Sequence, residues 1–146
     1  MECYRKPLYE SLGVFEQDNL SFSRQGTIRG MHFQDTQSKL LTLLEGEIFD
    51  VWVDIRPDSP YFGQWEGIVL KAKERKQLFI PGGYAHGFAV LGESATLLYK
   101  ASQVYDPQKE RSFFYNDPQV KIAWPFVPSS LSERDAKAPL LCEVVR

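Results

Sequence analysis

Few residues in this chain have types suited to moving protons. They are His32, His86, Lys39, Tyr99, Tyr105, Arg29 and Asp135. His32 lies in the run Arg29-Gly30-Met31-His32-Phe33-Gln34, where a glycine between guanidinium and imidazole permits close backbone approach. His86 follows 54 positions later, just past Pro81-Gly82-Gly83. Two histidines so far apart, with no His-x-His pair, leave a His-rich metal site short of ligands. Cys3 and Cys142 stand near opposite ends and form neither a metal spacing nor a disulfide framework. No phosphate-binding glycine loop, dinucleotide fingerprint or Gly-x-Ser-x-Gly elbow is present. Metal-free acid–base chemistry is what these residues can do. A neutral imidazole removes a proton, a phenol supplies one, and an ammonium steadies a developing oxyanion. Taken singly, each residue also has an ordinary structural role. Tyr99 fits a core aromatic with its hydroxyl at the rim. Lys39 fits a strand-end surface lysine, Asp135 an exposed helix residue, and His86 a loop histidine bonded to backbone.

The elements that carry these residues read mostly as short strands. Strands are predicted over residues 15–21, 27–34, 39–44, 47–55, 62–72, 75–80, 86–91, 95–105, 112–115 and 120–124. Gly46 and Gly92-Glu93-Ser94 read as turns between successive strands. In residues 47–55, Phe49, Val51, Val53 and Ile55 share one face, an ordinary core pattern. Ile48, Asp50, Trp52 and Asp54 share the other, and that mixture of aromatics and carboxylates suits a lined cavity. Arg29 and His32, three residues apart, would point to opposite faces of an ideal strand. If both line a site, Gly30 must bend or bulge the strand, with His32 facing the cavity. A short helix is expected within residues 4–13, limited by Pro7 and stopped by Gly13. Another is expected over 131–137, with Ser130 as N-cap and Glu133 completing a capping box.

Many short strands, frequent Gly/Pro turns and almost no helix indicate an all-β sandwich or barrel, with an immunoglobulin-like sandwich as the pattern's alternative. The 146 residues fit one domain, 1–146, with residues 1–26 and 125–146 as arms about a central β unit. Hydrophobic residues make up 43%, enough for a core, which argues against disorder. A net charge of −2 with no block of like charge argues against nucleic-acid or anionic-membrane surfaces as partners. No apolar run reaches the roughly 18 residues of a membrane span, and the first residues have no signal core. The expected location is the cytoplasm.

Together these runs carry a resemblance. Residues 29–34 resemble the Arg-Gly-Leu-His-Tyr/Phe-Gln signature of the dTDP-4-dehydrorhamnose 3,5-epimerase family. So do Ser38-Lys39-Leu40, residues 46–56, Ser59-Pro60-Tyr61-Phe62-Gly63-Gln64-Trp65, residues 77–88, Leu98-Tyr99-Lys100, Tyr105, Asn116-Asp117-Pro118, Ile122-Ala123-Trp124-Pro125 and Leu131-Ser132-Glu133-Arg134-Asp135. The match runs in register over essentially the whole chain. It implies a cupin-type jelly roll (double-stranded β-helix) with short helical turns near the termini. It also implies a homodimer and a nucleotide-diphosphate 4-keto-6-deoxy sugar as substrate, with no cofactor and no metal. By the same resemblance His32 is the base, Asp135 its partner and Tyr99 the acid on the opposite face of the sugar, with Lys39 near the C4 oxygen. Arg29, His86, Glu110 and Arg134 match diphosphate or sugar contacts, Tyr105 the aromatic that stacks on the nucleobase, and Gln17, Asp18 and Asn19 a further nucleotide-contacting segment.

The sequence departs from the family pattern twice. The family's additional N-terminal segment, with its Asp-x-Arg-Gly-x-Phe-x-Glu-type motif, falls before Met1, and Glu2 alone matches its last acidic residue. Val104 stands where relatives carry a second tyrosine. The function implied is inversion of C3 and C5 in a dTDP-4-dehydro-6-deoxyglucose to dTDP-4-dehydrorhamnose type of reaction. A single-carbon epimerase, a ketoisomerase and a non-catalytic sugar-nucleotide-binding cupin are the alternatives.

Overall fold

The structure is a computed structural model that describes residues 1–34 and 36–145. Its strands are β1 (Gln17–Arg24), β2 (Ile28–Gln34), β3 (Lys39–Asp54), β4 (Trp65–Lys71), β5 (Gln77–Ile80), β6 (Tyr84–Ala101) and β7 (Glu110–Ser112). The pairings among these strands are antiparallel, and two long strands organise them. The first part of β3 pairs with β5 and with the last part of β6, whose other neighbour is β1. The second part of β3 pairs with β4 and with the first part of β6, which continues into β2 and β7. Two sheets therefore share β3 and β6, which bend from one into the other as a cupin-type jelly roll.

The bends fall where the sequence reads as turns. Residues 39–44 and 47–54 are one strand, and so are 86–91 and 95–101, the strand expected over 95–105 ending at Ala101. Gly46 pairs with Ala95, and register shifts flank the crossing between Leu43 and Ile48. Gly46 has φ 91°, and a Cβ there would meet the Ser94 carbonyl oxygen at 2.0 Å. A glycine thus allows two strands to bend past each other without breaking the ladder.

Alternation along these strands fills two interiors. Met31, Phe33, Val51, Val53 and Ala85 face outward from the second sheet onto Phe113, Val120, Ile122 and Leu141 of the C-terminal segment. The opposite face, with Leu41, Leu43, Ile48, Phe88, Val90 and Leu97, fills the space between the sheets. Asp50, Trp52 and His86 alternate onto this inner face, as the sequence pattern of β3 predicts.

The arms are closely integrated. The strand expected over 15–21 within the N-terminal arm is β1, shifted to residues 17–24. Ahead of it, α1 (Lys6–Tyr9) and a 3-10 turn (Glu10–Leu12) stop at Gly13, as expected. Residues 120–124 form turn and coil instead of a strand. Asp117 accounts for this, since its carboxylate accepts from the Gln119, Val120 and Leu141 amides. The expected helix near residue 131 is α2 (Glu133–Ala136), capped by Ser132 and not by Ser130. The Ser130 backbone is engaged with β2 instead, bridging Thr27 and accepting from the Ile28 amide. A third turn, α3 (Leu141–Val144), was not anticipated. Among the described residues no helix is long and apolar enough to cross a membrane.

Candidate active site

The irregularity expected at residues 29–32 is present. β2 pairs with β6 at Arg29↔Phe88 and again at His32↔His86, so the register slips between them. Gly30 has φ 136° and packs its backbone against Gly87. A Cβ on Gly30 would sit 2.8 Å from the Gly87 Cα, and one on Gly87 would sit 2.7 Å from the Arg29 carbonyl oxygen. Two facing glycines let the strands close up, and the slip turns Arg29 and His32 toward the same cavity.

His32 is backed by Asp135. Its Nε2 lies 2.6 Å from Asp135 Oδ1, while Asp135 Oδ2 accepts from the Gly30 amide at 3.2 Å. The Asp135 backbone amide in turn donates to Ser132 Oγ at 3.0 Å, so the helix cap positions the carboxylate. Asp135 is only 1% exposed, which overturns its reading as a surface helix residue. Burial alone would raise its carboxyl, but the hydrogen bond and charge of His32, with the Gly30 amide, outweigh this and hold it below the ordinary range. With Nε2 bound to an ionised carboxylate, Nδ1 is the nitrogen left for the cleft.

The cleft has two parts that both border His32, Lys39 and Tyr99. One, of about 150 Å³, is also lined by Gln17, Asn19, Tyr105 and Glu110. The other, of about 240 Å³, is lined by Ser21, Arg29, His86 and Phe88. Tyr99 is half-buried, with the Lys39 ammonium 5.6 Å from its ring centre. Burial and then Glu110 raise the Tyr99 phenol, which Arg29 only partly offsets, so it stays a protonated donor. Burial lowers Lys39, while the carboxylates of Glu110 and Asp50 act to keep it charged. Arg29 is held in place by Ser23 Oγ, which accepts from its Nε at 2.8 Å.

Not all expected site residues line the cleft. Gln17 and Asn19 do, joined by a 2.9 Å hydrogen bond. Asp18 between them points outward, because adjacent strand residues face opposite ways, and pairs with Lys100 at 2.9 Å. Glu2 binds Arg5 within its own segment and lies outside the cleft. Arg134 stands half-exposed, 3.4 Å from Glu110. Three residues at the site were not singled out. Gln34 is buried and holds the 104–106 loop through the Val104 carbonyl and the Asp106 amide. Ser132 caps the helix that carries Asp135. Asp50 binds His86, and its place on the mixed face of β3 was the available signal. Among the described residues, no three His, Cys, Asp or Glu side chains converge as a metal site.

A jelly roll whose cleft joins a carboxylate-backed histidine to a protonated tyrosine and a lysine belongs among acid–base isomerases. Residues 1–143 match the family described as dTDP-4-dehydrorhamnose 3,5-epimerase. The enzyme of that name from Salmonella typhimurium is 47% identical over 148 residues, which cover 96% of this chain and 81% of that one. A crystal structure of dTDP-6-deoxy-D-glucose-3,5-epimerase from Legionella pneumophila, in complex with dTDP-4-keto-L-rhamnose, superposes with TM-score 0.91 at 45% identity. It covers 99% of this chain and 82% of that one. ChmJ, a 3'-monoepimerase from Streptomyces bikiniensis solved with dTDP-quinovose, superposes at 0.88 with 34% identity, covering 97% and 75%. The chain belongs to the dTDP-4-dehydrorhamnose 3,5-epimerase family.

Proposed function

We propose that this enzyme inverts C3 and C5 of a dTDP-linked 4-keto-6-deoxy sugar by proton removal and return, without a cofactor. The observation that carries the reading is the short His32–Asp135 contact opening onto a cleft that also holds Tyr99 and Lys39. The C4 ketone acidifies the hydrogens on C3 and C5. His32 Nδ1 takes one of these protons, and Asp135 stabilises the imidazolium so formed. The electron pair moves onto the C4 oxygen, where the Lys39 ammonium offsets the charge. Tyr99 then donates its proton to the carbon from the opposite face, and the phenolate is reprotonated as His32 releases its proton through solvent. Repetition at the second carbon completes the inversion.

Arg29 and His86 suit the sugar and diphosphate, Glu110 and Arg134 the rim. Tyr105, half-exposed at the mouth, suits stacking on the base, with Gln17 and Asn19 alongside. Asp18 and Glu2, turned away in the single chain, have no part in this reading. The enzyme acts as a cytoplasmic homodimer, for which the exposed Leu20 and Phe22 on the outer face of β1 supply an apolar surface. Inversion of one carbon is the second reading, favoured by the likeness to a 3'-monoepimerase. Incubation with dTDP-4-keto-6-deoxyglucose in deuterated water separates the two. Deuterium at both C3 and C5 supports the first, deuterium at one carbon supports the second, and none refutes both.

A further inference from the structure

A second carboxylate–imidazole pair lies beside the first. His86 is the register partner of His32 across β2 and β6, and Asp50 alternates onto the same inner face from β3. His86 Nε2 is 2.7 Å from Asp50 Oδ1. His86 is 6% exposed and Asp50 is wholly buried. Asp50 Oδ2 has no hydrogen-bond partner, alone among buried side-chain oxygens and nitrogens of the described residues. An orphaned carboxylate oxygen deep in a protein is costly, so its retention calls for a reason. His86 Nδ1 has no protein partner among the described residues either, yet it is not sealed in, and His86 lines the Arg29 side of the cleft.

We propose that Asp50 is a positioning residue that fixes His86 as the neutral Nε2–H tautomer, so that Nδ1 faces the sugar as a hydrogen-bond acceptor. The inference rests on the reading of this cleft as a sugar site and deepens it. Arg29 and Lys39, which share this part of the cleft, present N–H donors only, while the Ser21 and Tyr99 hydroxyls can donate or accept. The N–H donors suit a ketone oxygen and phosphates. A sugar hydroxyl must also donate, and His86 Nδ1 supplies an acceptor for it. Burial lowers His86 against the pull of Asp50, which keeps the ring uncharged. Burial raises Asp50, while His86 and Lys39 act to keep it ionised.

The chain has two histidines, so the ring nitrogens of both are resolvable in a uniformly ¹⁵N-labelled sample, with His32→Asn assigning them. In unliganded wild type, His86 is expected to show a pyrrole-type Nε2 and a pyridine-type Nδ1. Asp50→Asn, whose amide can donate to Nε2, is expected to shift His86 toward the Nδ1–H form. KM should rise roughly tenfold with kcat little changed, the pattern of a lost ground-state hydrogen bond. A wild-type His86 that is an imidazolium or an Nδ1–H tautomer overturns the proposal, whether or not the variant folds. So does an Asp50→Asn protein with unaltered His86 nitrogens or with kcat reduced in place of KM. Absence of deuterium exchange by the wild type would instead defeat the epimerase reading and leave the tautomer result standing.

Discussion

Replacement of Asp135 by asparagine tests the site from its least exposed member. The carboxylate faces two donors at once, His32 Nε2 at 2.6 Å and the Gly30 amide at 3.2 Å, with 1% of the residue exposed. An asparagine of the same shape has one acceptor oxygen to offer. If that oxygen turns to His32, the amide nitrogen meets the Gly30 N–H and leaves a buried donor unpaired. That costs about 1–3 kcal/mol and lowers Tm by roughly 3–10 °C. If it turns to Gly30, the amide donates to Nε2, the proton of His32 moves to Nδ1, and the lone pair needed for proton abstraction leaves the cleft. Either orientation also removes the charge that stabilises the imidazolium. Exchange at C3 and C5 should fall by roughly 10²–10⁴-fold, the usual contribution of a positioned acid–base group. The assay is solvent deuterium uptake into dTDP-4-keto-6-deoxyglucose followed by proton NMR, with a thermal melt on the same sample. Wild-type exchange in a folded Asp135→Asn protein would refute the role given to the carboxylate.

Three further perturbations probe other parts of the structure. Tyr99→Phe should slow turnover by roughly 10²–10⁴-fold while leaving substrate binding by titration near wild type; a loss of a few fold would make solvent the proton donor. Gly87→Ala places a Cβ 2.6 Å from Met31 Sδ and 2.7 Å from the Arg29 carbonyl oxygen, and should cost about 1–3 kcal/mol by urea unfolding. Gly92→Ala, with no atom within 4 Å, should stay within about 0.5 kcal/mol and serves as its control. Asp54 is bound by the Arg56 guanidinium, which offsets burial and, with Ser59, brings its carboxyl from 3.8 down to about 2. A depressed carboxyl stabilises the fold above its unfolded value and loses that contribution as pH falls toward 2. After discount for the half-exposed guanidinium this is worth about 1–2 kcal/mol. Acid titration of the wild type and Asp54→Asn should therefore converge between pH 4 and 2, and parallel curves would contradict the linkage.

Much of the site was legible because its residues sit in short local runs. The run from Arg29 to Gln34 carries an imidazole, a glycine and an arginine, and for Arg29 and His32 to line one site the three-residue offset requires the slip found between β2 and β6. The mixed face of β3 was equally readable, since alternation is a local property. Properties set by distant partners were not. Gly46 and Gly92 read as turns, because nothing local says that β3 and β6 run on past each other as continuous strands. Ser130 and Ser132 are equally good caps by type, and the bridge from Thr27 to Ser130 selects between them. Asp50 was visible on its strand, but its partner His86 lies 36 residues away and only the folded ladder brings them together.

The most direct test concerns His32 itself. Deuterium uptake into dTDP-4-keto-6-deoxyglucose should be measured for wild type and for His32→Ala at equal concentration, with dTDP binding as the check that the cleft survives. If His32 is the base, the variant binds dTDP but incorporates no deuterium at C3 or C5 above the uncatalysed rate. Exchange at the wild-type rate in that variant would contradict the assignment and return the role of base to another group in the cleft.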